Sequence, residues 1–169
     1  MASRLLRKSE IEFARQVFED QLPYGKVHIA SYYLPGNHGV PVTIASVSSI
    51  IPVASLRHYT IYFGPEVFEQ GAERPEVAST FIHELTHVWQ GFHGALGWEY
   101  MINSMVAQGH AILTQGDRNR AYDYKPDQPW GDYNVEQQAL LVQDWYRNGM
   151  REDDARYTYI VEHIRAGKN

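Results

Sequence analysis

Cysteine is absent from the 169-residue chain. Disulfides and thiolate-bound zinc are therefore excluded, and any metal must be held by His, Asp or Glu. A chain without thiols needs no oxidation to fold, so it suits a reducing or an oxidising compartment equally. Long apolar runs are missing as well. Met1 to Lys8 carries basic side chains but only Leu5 and Leu6 as an apolar pair, which is not a signal peptide. No stretch is long enough to span a bilayer as a helix. If the protein acts outside its own cytoplasm, other machinery is expected to carry it there. There is no long basic run and the net charge is −5, which argues against a nucleic-acid binder held by phosphate contacts.

What is present suits a single domain over residues 1–169 with one buried core. Hydrophobic residues make up 44% and charged residues 21%, near globular averages, so wholesale disorder is not expected. Twelve Tyr and four Trp are many for this length, but aromatics serve cores and clefts alike and do not choose between them.

Along the chain, Ser9-Glu10-Ile11-Glu12 reads as a capping box opening a helix with Ile11, Ala14, Val17 and Phe18 at helical spacing, stopped by Leu22-Pro23. Lys26 to Tyr33 alternates as a strand, and Pro35-Gly36-Asn37 is a turn. Residues 40–54 are β-branched and apolar with two prolines, and read as one or two short strands of edge character. His58 to Phe63 is a further strand, ended by Gly64-Pro65. Pro75 and Glu76 open a helix running to about Gln90. A second helix is expected between Glu99 and Leu113, then a loop from Gly116 to Tyr133. A third helix is capped by Asn134 with Gln137 three residues on, and a last one covers Asp153 to Ile164. This order gives an α+β fold with a small N-terminal sheet.

Residues 83–87 are His-Glu-Leu-Thr-His. Two His one helical turn apart point to the same side, so both imidazoles can reach one metal ion, and the Glu beside the first is placed to take a proton from the attacking water. Val77, Phe81, Leu85 and Val88 form the apolar stripe of that helix, whereas Thr80, His83, His87 and Gln90 share another face. The competing explanation is a pair of solvated His on a helix surface. A catalytic zinc needs three protein ligands, so the pair alone is no site. His93 lies ten residues after His83, the spacing of the longer HExxHxxGxxH pattern, but Gln90 stands where that pattern has Gly. Glu136 is the other main candidate, although a Glu in a first helical turn also serves the helix dipole. Glu99 and His110 are weaker ones.

His83-Glu-Leu-Thr-His-Val-Trp-Gln90, followed some fifty residues later by Tyr-Asn-Val-Glu-Gln-Gln-Ala, resembles the zinc metallopeptidase effector domains found as C-terminal extensions of VgrG spike proteins in type VI secretion, related to polymorphic-toxin metallopeptidases. The resemblance covers about residues 58–147. It implies a compact zincin-like domain with an HExxH active-site helix and a gluzincin-like ligand set in which Glu136 is the third zinc ligand. Two departures stand out. Gln90-Gly91-Phe92-His93 keeps His93 as an alternate ligand. The Asp that orients a ligand four residues after the third ligand in thermolysin-like enzymes is replaced by Leu140, so what orients the His ligands is open.

The expected chemistry is peptide hydrolysis at zinc, with His83, His87 and Glu136 as ligands and Glu84 as general base. Tyr133, Tyr122, Tyr124 and His110 lie in segments that could supply an oxyanion donor, although a Tyr there more often packs. His58 to Phe63 could pair with an extended peptide. The resemblance implies an antibacterial effector, a monomer as an isolated domain, forming the C-terminal piece of a longer secreted protein. It would be delivered by a contact-dependent system to the periplasm of a target bacterium, act on a protein or peptide there, and have room for an immunity protein as partner. Two other readings stand beside it: a zinc hydrolase of a non-protein or cell-wall amide, and a non-catalytic module that keeps a metal for stability. Glu84 weighs against the last, since a structural site needs no base.

Overall fold

The computed structural model describes residues 1–36, 38–47, 57–94, 124–125 and 127–169. The helix expected between Glu99 and Leu113 lies outside them, as do Glu99, His110 and Tyr122. So does the part of the 40–54 reading beyond Val47.

Four strands form one mixed sheet: β1 (Ser3–Leu5), β2 (Val27–Ala30), β3 (Thr43–Val47) and β4 (Arg57–Tyr62), in the order β1-β2-β4-β3. β1 and β2 run antiparallel, β2 and β4 parallel, and β3 and β4 antiparallel. Strand β4 is therefore paired on both sides. The sequence reading of His58 to Phe63 as a strand open to a peptide is corrected here: its backbone groups are used within the sheet, and β3 is the edge strand beside it. Tyr62 N–H bonds the carbonyl of Val42 at 2.9 Å. The antiparallel alternation then turns the backbone groups of Ile44 and Ser46 toward β4, and those of Thr43, Ala45 and Val47 outward, where no described strand pairs with them.

Helix α1 (Lys8–Phe18) buries Ala14, Val17 and Phe18 as its spacing predicts, but it opens differently. The Glu10 carboxylate, not Glu12, reaches back to the Arg7 N–H at 2.7 Å. The reason is tertiary. Glu10 is fully buried, held at 2.7 and 2.8 Å by the Arg4 guanidinium from β1 and at 3.0 Å by the Ala72 N–H. Turning Glu10 inward draws Ser9 into the first turn and leaves Glu12 exposed. Gly64-Pro65, expected only to end a strand, also starts α2 (Pro65–Gln70). Gly64 has φ 83°, and the Tyr33 ring fills the space a Cβ would take, so only glycine fits.

Helix α3 (Pro75–His93) starts on Pro75 as expected and runs three residues past Gln90. Phe81, Leu85 and Val88 of its apolar stripe are fully buried against Val27, Ile29, Tyr59 and Ile61 of the sheet. Its second face packs on α4 (Val135–Arg147), whose Leu141, Val142 and Trp145 complete the core. Asn134 and Gln137 cap α4 reciprocally, at 2.9 and 3.1 Å, as their spacing predicts. The last segment is shorter than the helix expected over Asp153 to Ile164. A short helix, α5 (Tyr157–Tyr159), passes into a π turn over Ile160–Ile164. Asp154 accepts from the Arg156 N–H at 2.9 Å and from its guanidinium at 3.0 Å, which holds residues 154–156 in a turn. Trp89 donates its indole N–H to the Ile164 carbonyl at 2.9 Å and fastens this segment to α3.

Candidate metal centre

Helix α3 sits between the sheet and α4, so its polar face is buried as well as its apolar one. His87 and Glu84 are each only 5% exposed. His83 and His87, one turn apart, bring their Nε2 atoms within 3.2 Å, and Glu136 from the first turn of α4 places Oε2 at 3.2 Å from His83 Nε2 and Oε1 at 3.6 Å from His87 Nε2. Among the described residues these three form the one group of His, Asp or Glu with ligand atoms converging, all within 4.8 Å. A tetrahedral zinc with bonds of about 2.0–2.1 Å has edges of about 3.3–3.4 Å between its donors. The observed separations, with the two to Glu136 taken from different carboxylate oxygens, lie near that length, so the donor set is compatible with such an ion.

Charge supports the same fit. Burial works against a charged His87, but the Glu136 carboxylate, its hydrogen bond, the Glu84 carboxylate and Gln90 overcome it and push the ring up to about 9. Burial likewise opposes ionisation of Glu136, and His87 and His83 hold it well below the ordinary carboxylate range. The carboxylates thus favour positive charge at His87, and a metal bound there would have to displace that proton.

Glu84 follows His83 on α3 and turns toward β3. The Thr43 hydroxyl donates to its Oε2 at 2.7 Å and lies 3.2 Å from its main-chain carbonyl. Thr43 went unnoticed in the sequence, where an inward Thr in a β-branched run carries no mark. His93, the alternate ligand, is placed elsewhere. Because α3 continues through Gln90 instead of turning at a glycine, His93 remains on the helix, about 80° around from His83. Its Nε2–H donates to the Gln21 carbonyl at 2.9 Å, and its ring lies against Trp89. The Tyr133 hydroxyl donates to the Lys125 carbonyl and accepts from Gln128 N–H at 3.2 Å. The Tyr124 hydroxyl bonds Asp144 at 2.9 Å and accepts from Arg156 at 2.8 Å. Both hydroxyls anchor the residues before α4, and neither is bonded to the triad or to Glu84.

Fold and site together define an α+β domain whose two packed helices converge three metal-type donors beside a buried glutamate. No family model matches the chain. It is 29% identical over 174 residues to the type VI secretion system spike protein VgrG2b of Pseudomonas aeruginosa, a match covering 98% of this chain. Among solved structures it is similar to the effector domain of Pseudomonas aeruginosa VgrG2b, with a TM-score of 0.63 and 29% identity, over 94% of this chain and 82% of that one. The chain is homologous to that effector domain. It spans 15% of the length of the spike protein.

Proposed function

We propose that the chain is a zinc metallopeptidase with a zincin-like site, acting as an effector domain of type VI secretion. The observation that carries this reading is the convergence of His83, His87 and Glu136 next to the buried carboxylate of Glu84. Zinc held by these donors would polarise a scissile carbonyl and make water acidic enough to attack at neutral pH. Glu84 takes the proton of the attacking water and returns it to the leaving amine, the role of a positioned carboxylate. Thr43 holds that carboxylate from the edge strand. The outward backbone groups of Thr43, Ala45 and Val47, which no described strand pairs, would let an extended chain lie along β3, and this favours a peptide substrate over a compact amide.

A non-catalytic metal module has no use for Glu84 in this place. Homology to the effector domain of a spike protein supports delivery by that system. The target is a peptide bond in the envelope of the recipient cell, with an immunity protein as the expected counterpart in producers. The deciding experiment is Glu84→Gln. It should keep zinc content and folding and lose hydrolysis by several orders of magnitude against a peptide library. Full turnover by that variant would end the proposal.

A further inference from the structure

A metal-ligating imidazole usually donates its outward N–H to a partner, and Leu140 removes the Asp expected for that task; among the described residues His83 Nδ1 has no such partner. The environment of His87 supplies another arrangement. Its Nδ1 lies 2.8 Å from Gln90 Oε1. Gln90, fully buried, directs its amide nitrogen to the Val135 carbonyl at 2.9 Å and to Gln138 Oε1 at 2.9 Å. Gln138, 6% exposed, directs its own amide nitrogen to the Trp130 carbonyl at 3.1 Å.

The direction of this chain of bonds follows from chemistry. Main-chain carbonyls only accept. The Trp130 carbonyl obliges Gln138 to present its NH2 there, which leaves Gln138 Oε1 facing Gln90. Gln138 Oε1 and the Val135 carbonyl then oblige Gln90 to present its NH2 to both, which leaves Gln90 Oε1 facing His87. An amide oxygen accepts and never donates, so the proton of a neutral His87 must sit on Nδ1. Its Nε2 lone pair is thereby aimed at His83 and Glu136. Flipping either amide would set two acceptors or two donors face to face, in a buried place where such a pairing has no water to relieve it.

We infer that Gln90 and Gln138 form a one-way amide relay that fixes the tautomer of His87 and locks the turn carrying Glu136 against α3. Both are positioning residues. Val135, which anchors the relay, immediately precedes Glu136, so the same bonds set the spacing of the donors and the protonation pattern of one of them. This rests on the metal-centre reading, because tautomer and spacing matter to a metal ion.

The test uses the whole chain and zinc alone. Nitrogen-15 NMR of the zinc-loaded protein should find the His87 proton on Nδ1, in a slowly exchanging hydrogen bond. Gln90→Leu should weaken zinc binding about tenfold to a hundredfold in chelator competition. Gln138→Leu, which does not touch His87, should weaken it by less. The two together should cost less than the product of the single effects, because one relay is lost once. A His87 proton on Nε2, or unchanged zinc affinity in both folded variants, overturns the relay. If Gln90→Leu does not fold, Gln138→Leu and the wild-type spectrum still decide. A wild type that takes up no zinc sinks the metal-centre reading instead, and the tautomer can then be read from the metal-free protein at alkaline pH, where the ring is neutral.

Discussion

Thr43 gives Glu84 a defined orientation, and the consequence can be measured separately from binding. A hydrogen bond to a charged group contributes about 1.5–3 kcal/mol. Thr43→Val keeps the β-branched shape and the outward backbone of the edge strand but removes the hydroxyl. It should lower kcat about tenfold to a hundredfold with KM little changed, and Thr43→Ser should restore most of the loss. A change confined to KM would assign Thr43 to substrate contact instead. At this scale the sequence was legible in part. His83, Glu84 and His87 follow from a five-residue pattern, because helical periodicity alone places them. Glu136 was one candidate among several, and choosing it over His93 required the resemblance, because no local rule joins it to α3. Gln90 lay on the ligand face, three residues after His87, and that spacing could have suggested its contact. Thr43 and Gln138 act through tertiary packing and left no local sign.

At the scale of elements, the joint between β1, α1 and the turn before α3 depends on one buried carboxylate. Burial alone would raise the pKa of Glu10, but Arg4 and the N–H groups of Arg7 and Ala72 bring it below the ordinary value of 4.5. A group depressed in the folded state stabilises above its unfolded pKa and loses that contribution as pH falls through its folded one. Acid should therefore weaken the fold from about pH 4.5 downward. Arg4→Met, which strands the buried charge, should cost about 3–5 kcal/mol at neutral pH by denaturant titration. A loss below 1 kcal/mol would mean that water reaches Glu10 and that the joint is not a closed ion pair. The helices α3 and α4 were legible because a Pro start and an Asn–Gln cap are written locally. The opening of α1 was misplaced by two residues because Arg4, distant from the cap, decides which Glu turns inward. The final helix was read too long because Asp154 competes for the backbone that a longer helix would need.

The whole chain matches a stretch equal to 15% of the length of a spike protein, and its α+β class was evident from the order of its patterns. The strand pairing was not, since parallel pairing of β2 with β4 joins segments some thirty residues apart and no local signal announces it. Placed in a bacterial cytoplasm, the chain should be tolerated. Fused to a Sec signal peptide, it should kill through Glu84, with envelope or shape defects. Growth at matched expression, with and without Glu84→Gln, checks this. Equal toxicity from the cytoplasmic form would move the target inside the cell, and toxicity of the exported Glu84→Gln form would make killing non-enzymatic.

The three donors come from two helices separated by about forty residues of chain, so they meet only when α3 and α4 have docked. An unfolded chain offers at best the local His pair. A metal bound by this triad would thus report nativeness: it would partition to the folded population and draw the equilibrium after it by mass action. At free zinc a hundredfold above the dissociation constant the folded state gains about 2.7 kcal/mol. Melting temperature should climb with zinc concentration in the wild type and in His93→Ala, and stay flat in His83→Ala, His87→Ala and Glu136→Ala. A flat curve for His93→Ala with a climbing one for Glu136→Ala would exchange the third ligand. If the chain is the delivered zinc enzyme proposed above, its endurance in a recipient would follow the zinc available there, making the host's metal supply a determinant of how long it persists.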